Sequence, residues 1–246
     1  MTDSTDYQPL LEVLLPVHNE GASIESTIRE IYGEIQTKVP LRFIVCEDGS
    51  RDDTKSVLRR LSAEIPMTLL LSDARKGYSR AVVDGMMAAS APYLLCLDSD
   101  GQCDPSDFWP FWEQRDRADV TTGWRVRRAD PFFRRAMSGI FRQAYHALFR
   151  VPIHDPSCPY LLMSRNVVRK IAPEMGEMLQ GFWWEFIARV YRRGFSVKEL
   201  PVHHRLRKAG TTQVYKPGKL AGIGYHHFIA LFRIWAQTQH GPAFPG

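Results

Sequence analysis

Residues 10–20 read LLEVLLPVHNE, an apolar run that ends in a polar cluster. The same pattern returns as LRFIVCEDGS at 41–50 and as YLLCLDSDGQ at 93–102. Short continuous apolar runs are typical of strands that are buried on both faces of a parallel sheet. We therefore predict a strand in each run and expect each polar cluster at the carboxyl end of its strand.

Helical patterns alternate with these strands along the chain. Isoleucines at positions 24, 28, 31 and 35 have helical spacing, which indicates a helix with one buried face. Such alternation predicts an α/β fold with a mostly parallel open sheet and helices on both faces. The predicted helices are 22–35, 52–61, 78–89, 104–112 and 183–193, and the remaining predicted strands are 67–71, 119–123, 160–163 and 196–201.

Charge is distributed unevenly over the 246 residues, whose net charge is +5. Residues 124–150 and 203–246 each carry +6, which leaves −7 on the rest of the chain. The basic stretches contain two predicted helices: an amphipathic one at 131–150 and an aromatic-rich one at 219–236. We expect one domain over 1–212, followed by a basic, amphipathic helical extension over 213–246. A nucleic-acid partner is not expected, because the main body is acidic and no nucleic-acid motif is present.

Residues 1–9 and the four cysteines indicate the cellular compartment of the protein. Residues 1–9 are polar and lack the pattern of a signal peptide. No uncharged apolar run reaches the roughly 18 residues of a membrane span. The four cysteines are widely spaced, so reduced thiols are expected, with Cys46 and Cys96 in the core. We expect a cytoplasmic protein.

The polar clusters after the strands are the candidate functional residues. In an open α/β sheet, ligands bind beyond the carboxyl ends of the strands, where these clusters meet. Asp98 and Asp100 are two residues apart, so in an extended chain they would point the same way. Two such carboxylates repel each other unless a cation lies between them, and Mg²⁺ or Mn²⁺ prefers such oxygen ligands. The alternative is a pair of solvated loop carboxylates.

Taken together, the motifs carry a family resemblance. Pro16-Val17-His18-Asn19-Glu20, Glu47-Asp48-Gly49-Ser50 and Asp98-Ser99-Asp100-Gly101-Gln102 have the order and spacing found in family-2 glycosyltransferases of GT-A fold. The chain looks most like the polyprenyl-phosphate (dolichyl-phosphate) mannosyl- and glucosyltransferases. The resemblance covers about residues 10–212. It continues through Lys76-Gly77, Gly123-Trp124-Arg125, Asp155, Glu185, Arg205 and Arg207.

The resemblance implies a single inverting displacement at the anomeric carbon of a nucleoside-diphosphate hexose. Residues 10–125 would form the donor half and 126–212 the acceptor half of the catalytic domain. Metal ligands for Mg²⁺ or Mn²⁺ would be Asp98, Asp100 and Gln102, and catalytic roles would fall to Asp100, Asp155 and Arg205. Donor-binding residues would be Pro16, Val17, Asn19, Glu20, Glu47, Asp48, Lys76, Gly77, Asp98, Ser99, Gln102 and Arg207. Acceptor-binding residues would be Arg125, Arg127 and Glu185.

Three features depart from the family pattern. Glu47 stands where the second motif usually has an aspartate, so its carboxylate extends one methylene further. Cys158 and Pro159 replace the small residue and the glycine that often follow the position of Asp155. Many bacterial relatives carry C-terminal transmembrane helices, which are not found in this sequence.

The acceptor is the open question at the sequence level. A hydroxyl acceptor needs a general base, for which Asp155 or Glu185 would be the candidate, whereas a lipid phosphate is already ionised and needs cations. The arginines at 125, 127, 128, 134 and 135 favour a polyprenyl phosphate. Helix 131–150 is expected at an anionic membrane surface, placing the enzyme peripherally on the cytoplasmic face. Alternatively, that helix packs on its own domain or on a homodimer partner.

A further alternative is a catalytically inactive binding or scaffold protein on the same fold. The presence of both Asp98 and Asp100 counts against it.

Overall fold

The computed structural model describes residues 8–126, 132–178, 180–205 and 220–239. Within these residues the chain forms a seven-stranded sheet. Its strands are β1 (Leu11–Val17), β2 (Leu41–Glu47), β3 (Met67–Leu71), β4 (Tyr93–Cys96), β5 (Val120–Arg125), β6 (Leu161–Ser164) and β7 (Val197–Val202). The strand order is β3-β2-β1-β4-β6-β5-β7.

The sheet is mostly parallel, as the apolar runs predict. Strands β1 to β4 pair in parallel with their neighbours. Strand β6 runs antiparallel to both β4 and β5, and β5 pairs in parallel with β7. The carboxyl ends of β1, β2 and β4 therefore lie side by side at one edge, which brings the three polar clusters together.

Eight α-helices occur in the part of the chain that the structure describes. They are α1 (Ile24–Ile35), α2 (Thr54–Leu61), α3 (Tyr78–Ala88), α4 (Phe108–Gln114), α5 (Phe132–Phe149), α6 (Arg165–Ile171), α7 (Phe182–Arg192) and α8 (Leu220–Gln237). The predicted helix 104–112 is divided, because a 3-10 turn at Pro105–Asp107 precedes α4. Helix α6 was not predicted from the sequence.

Two apolar layers cover the sheet because successive strand residues point to opposite faces. Leu14 and Cys46 pack with residues of α3, α6, α7 and α8. Val13 and Val45 pack on the other side, with residues of α1, α2 and α4. Cys46 and Cys96 lie in the core as predicted, and all four cysteines are free thiols.

The apolar face of α5 turns inward where its side chains are described. Tyr145 and Phe149 are fully buried, and the ring of Phe141 packs edge-on against that of Trp184 in α7. For helix 131–150 we expected a place at an anionic membrane surface, with packing on its own domain as the alternative. Its described C-terminal half packs on its own domain.

Helix α8 falls within the predicted extension 213–246, yet it packs against α5 and α7. Leu231 and Ile234 of this helix are fully buried. In the residues that the structure describes, no helix combines the length and the apolar character needed to cross a membrane.

Candidate functional site

Hydrogen bonds join the polar clusters at the edge formed by β2, β1 and β4. His18 Nδ1 donates to the carbonyl oxygen of Asp48 at 2.8 Å, which connects the first and second clusters. Ser99 Oγ donates to the carbonyl oxygen of Pro16 at 2.8 Å, which connects the third cluster to the first. The sequence expectation that the three clusters converge is therefore met in the structure.

The first cluster forms a turn that is held from the second. Asn19 has a φ of +55°, a left-handed conformation that asparagine tolerates better than most residues. Its backbone N–H donates to Ser50 Oγ at 2.9 Å, and its side-chain oxygen accepts from the N–H of Arg51 at 2.9 Å. The Glu20 carboxylate is nearly buried and accepts from Ser23 Oγ at 2.6 Å.

Glu47 points into the protein rather than across the edge. Its buried carboxylate accepts from the backbone N–H groups of Ser50 and Ser72, and Lys55 Nζ lies 3.6 Å away. Burial alone would raise the pKa of this carboxyl, but these hydrogen bonds and the lysine charge outweigh it and lower the pKa below its ordinary value. The extra methylene of Glu47 thus serves contacts that hold the loops after β2 and β3.

Asp48 fixes the loop before α3. Its carboxylate accepts from the backbone N–H groups of Lys76 and Gly77, the latter at 2.9 Å. Gly49 follows at a φ of +65°, where an added Cβ would lie 2.5 Å from the backbone nitrogen of Arg75. Only glycine fits this close approach. The Lys76 side chain itself pairs with Asp84.

Asp98 and Asp100 lie beyond the end of β4, which stops at Cys96. Both carboxylates lie at the sheet edge, and the expectation that they point the same way stays a prediction. Asp98 accepts a hydrogen bond from the hydroxyl of Tyr78 at 3.0 Å. The Asp100 carboxylate accepts a hydrogen bond from the backbone N–H of Gln102 at 3.1 Å, which closes a turn from Asp100 to Gln102.

This pair of carboxylates fits a divalent cation that is bound together with a phosphorylated ligand. Across the described ranges, no three His, Cys, Asp or Glu side chains are grouped as a complete metal-binding set. Mg²⁺ typically takes one or two protein carboxylates and completes its shell with phosphate oxygens and water. Asp98 and Asp100 are half-buried, which suits that mode.

Gln102 and Arg205 bind each other through their backbones and one side chain. Gln102 Nε2 donates to the carbonyl oxygen of Arg205 at 3.1 Å, and the Arg205 N–H donates to the carbonyl oxygen of Gln102 at 2.8 Å. The guanidinium of Arg205 pairs with Asp104 at 2.8 Å and with Glu30. The metal role of Gln102 and the phosphate role of Arg205 stay predictions. Arg127 and Arg207 lie outside the described residues.

Asp155 and Arg125 form a buried ion pair. The Asp155 carboxylate is 6% exposed and accepts from Arg125 Nε at 2.8 Å and from Nη2 at 3.0 Å. Burial alone would lower the pKa of Arg125, but the hydrogen bonds and charge of Asp155 raise it above its ordinary value. A carboxylate held in this bidentate contact is poorly placed to take a proton from an acceptor hydroxyl.

Glu185 also has internal partners. Its carboxylate is 0% exposed and accepts from the backbone N–H groups of Gly176, Glu177 and Met178 at 3.2, 3.2 and 2.7 Å. Arg189, one helical turn later, donates to it at 2.9 Å. These contacts hold the loop before α7 and argue against a direct contact between Glu185 and an acceptor.

Sequence reasoning missed two residues at this edge. Trp183 Nε1 donates to the hydroxyl of Tyr78 at 2.9 Å, and that hydroxyl in turn donates to Asp98. Tyr78 and Trp183 are 105 residues apart and belong to no motif of the site. No local signal in the sequence could have paired them.

Known proteins resemble the chain over most of its length. A family model described as Glycosyl transferase family 2 matches residues 12–172. An uncharacterised glycosyltransferase of Mycobacterium tuberculosis is 28% identical over 229 residues, which cover 91% of this chain and 95% of that protein. A dolichyl-phosphate hexose transferase of Haloferax volcanii is 26% identical over 219 residues, which cover 87% of this chain and 90% of that protein.

Solved structures share the fold at lower identity. Glucosyl-3-phosphoglycerate synthase from Mycobacterium tuberculosis, in complex with Mn²⁺, uridine diphosphate and glucosyl-3-phosphoglycerate, matches with a TM-score of 0.67 and 16% identity, over 96% of this chain and 81% of that one. The likeness shows a GT-A fold. The family model over residues 12–172 shows that this chain is a glycosyltransferase and belongs to glycosyl transferase family 2.

Proposed function

We propose that this enzyme transfers a hexose from a nucleoside-diphosphate sugar to a polyprenyl phosphate, with inversion at the anomeric carbon. A phosphate oxygen of the acceptor forms the new bond to that carbon while the bond to the nucleoside diphosphate breaks. The products are the polyprenyl-phosphate hexose and the free nucleoside diphosphate. No proton has to be removed from such an acceptor, because its phosphate is already ionised.

The donor is proposed to bind at the edge formed by β2, β1 and β4. Asp48 and the turn at Asn19 would face the nucleoside, and Asp98 and Asp100 would hold Mg²⁺ or Mn²⁺ beside the diphosphate. A divalent ion in this position supplies charge neutralisation for the leaving group. Complexes of fold relatives support the proposal, since one contains Mn²⁺ and uridine diphosphate and another contains Mn²⁺ and GDP-Man.

The choice of acceptor rests on one observation: the two candidate general bases, Asp155 and Glu185, are both held by internal hydrogen bonds and ion pairs. Asp155 is paired with Arg125, and Glu185 is enclosed by backbone N–H groups and Arg189. A hydroxyl acceptor would require one of them to accept a proton, whereas a phosphate acceptor requires neither. The similarity to a dolichyl-phosphate hexose transferase points the same way.

A donor screen followed by a transfer assay tests this function. We expect UDP- or GDP-hexoses to raise the melting temperature in the presence of Mn²⁺, because a ligand that binds only the folded state stabilises it. With the donor that stabilises most, we expect transfer to a short-chain polyprenyl phosphate and none to the corresponding polyprenol. Transfer to soluble sugars but to no polyprenyl phosphate would instead favour a hydroxyl acceptor. Stabilisation by no nucleotide sugar would contradict the donor site.

We also propose that α8 contacts an anionic membrane surface, where such an acceptor resides. Phe228, Phe232 and Trp235 are exposed on one side of this helix, whereas Leu231 and Ile234 are buried. Residues 203–246 carry six Lys and Arg and no acidic residue. A helix with exposed aromatic residues in such a basic segment is typical of interfacial binding. Basic residues near an anionic surface each add about 1 kcal/mol of attraction.

Flotation with vesicles of phosphatidylglycerol and phosphatidylcholine tests the role of α8. Phe232 is 59% exposed, and we expect Phe232→Glu to reduce the floated fraction several-fold, since a carboxylate resists both the apolar layer and the anionic headgroups. Met87→Glu is the matched control, because Met87 of α3 is 61% exposed and lies outside the proposed surface. Equal flotation of the two variants, or a stable dimer that buries α8, would contradict the membrane contact.

A further inference from the structure

Residues 76–79, at the start of α3, contact three separate parts of the enzyme. The backbone N–H groups of Lys76 and Gly77 donate to Asp48 in the proposed donor site. The Tyr78 hydroxyl donates to Asp98. Ser79 Oγ donates to the carbonyl oxygen of Met178 at 3.1 Å, in the loop before α7. This short segment therefore joins the nucleotide edge, the carboxylate pair and the acceptor half.

The hydrogen bonds around Tyr78 have a defined direction. An indole nitrogen only donates, so Trp183 Nε1 uses the hydroxyl oxygen of Tyr78 as its acceptor. That hydroxyl has a single proton, which is directed to Asp98 at 3.0 Å. The order of donors is thus Trp183, Tyr78 and then the carboxylate.

Trp183 is itself held in place by packing. Its ring is buried and meets those of Phe182 and Phe186 at centroid distances of 4.9 and 5.7 Å. Glu185, two residues later on α7, fixes the adjoining loop through its three backbone contacts. The Tyr78 hydroxyl therefore accepts a hydrogen bond from a fixed side chain of α7, a helix of the acceptor half.

We propose that Tyr78 and Trp183 are positioning residues that hold the Asp98 carboxylate for the divalent cation and couple it to α7. The inference rests on the proposed metal role of Asp98. Hydrogen bonds to a ligating carboxylate fix its orientation, and their loss typically lowers metal affinity by about ten- to a hundredfold. A shift of α7 on acceptor binding would act on Asp98 through the same two side chains.

The test measures Mn²⁺ binding by electron paramagnetic resonance in the presence of saturating UDP or GDP, whichever stabilises the protein. We expect Tyr78→Phe to weaken Mn²⁺ binding by about ten- to a hundredfold. Trp183→Phe should weaken it less, because Tyr78 can still donate to Asp98. The double variant should match Tyr78→Phe, since Trp183 acts through Tyr78.

Tyr93→Phe provides the matched control. The Tyr93 hydroxyl donates to the Asp116 carboxylate at 2.6 Å at the opposite end of β4, so its loss should leave Mn²⁺ binding unchanged. If the wild type binds Mn²⁺ and Tyr78→Phe binds it equally well, the positioning role is overturned, even when the variant has a lower melting temperature. If the wild type binds no Mn²⁺ with either nucleotide, the metal role of Asp98 in the proposed function fails first.

Discussion

Asp98→Asn is expected to lower the rate of hexose transfer by at least about a hundredfold, a typical loss when one electrostatic stabiliser of a transition state is removed. The amide keeps the size of the side chain and can still accept from the Tyr78 hydroxyl, so the fold should be retained. It loses the negative charge that attracts a divalent cation. We therefore expect both a lower maximal rate and a need for more Mn²⁺, measured by transfer assays over a range of Mn²⁺ concentrations.

Asp116→Asn is the control for this change. Asp116 also accepts a hydrogen bond from a tyrosine hydroxyl, that of Tyr93. Tyr93 is the first residue of β4, so this pair lies at the end of the strand opposite to Asp98. Its replacement should leave transfer and metal dependence unchanged. Wild-type rates for Asp98→Asn at low Mn²⁺ would show that Asp98 does not bind the metal.

Glu185→Ala is expected to destabilise the protein by about 3–5 kcal/mol, the usual cost of removing one partner from a buried ion pair. The change removes the carboxylate that lies 2.9 Å from the buried guanidinium of Arg189, which keeps Glu174 at 3.7 Å and the side-chain oxygen of Gln237 at 2.7 Å. It also removes the acceptor for the N–H groups of Gly176, Glu177 and Met178. Urea denaturation of the wild type and the variant measures this loss as the difference between their free energies of unfolding.

Glu64→Ala is the matched surface control. Glu64 is 49% exposed and pairs with Arg29, and an exposed pair of this kind contributes only about 0–1 kcal/mol. Glu185→Gln separates structure from chemistry: we expect it to lower stability while each folded molecule still transfers hexose. A stable Glu185→Gln protein that transfers nothing would identify Glu185 as the base and favour a hydroxyl acceptor.

The alternation of strands and helices was predictable because it depends on local patterns. The strand at Met67–Leu71 occurs as predicted, and β2 (Leu41–Glu47) covers the apolar part of the stretch 41–50. Helix α6 begins at Arg165, directly after β6, and has only seven residues. So short a helix shows little periodicity, and the serine at its N-cap, Ser164, was the start signal that the sequence offered.

The amphipathic pattern of helix 131–150 shows the limit of the same reasoning. Apolar spacing predicts that one face of a helix is covered, but it does not identify what covers that face. In the structure, Phe141 packs on Trp184, and Tyr145 donates to the carbonyl oxygen of Trp184 at 3.1 Å. The described half of the apolar face is thus covered by α7 rather than by lipid.

By itself, the sequence determined the α/β class and the sheet edge where the three polar clusters meet. The end of each apolar run marks the carboxyl end of a strand, and in a parallel sheet these ends lie at the same edge. The partners of the charged groups were decided only by tertiary structure. Arg125 reaches Asp155 across 30 residues, and Trp183 reaches Tyr78 across 105. Such pairs form where packing brings distant side chains within hydrogen-bonding distance, and no local spacing encodes that distance. Whether a carboxylate binds metal, takes a proton or holds a loop therefore depends on neighbours that the fold supplies.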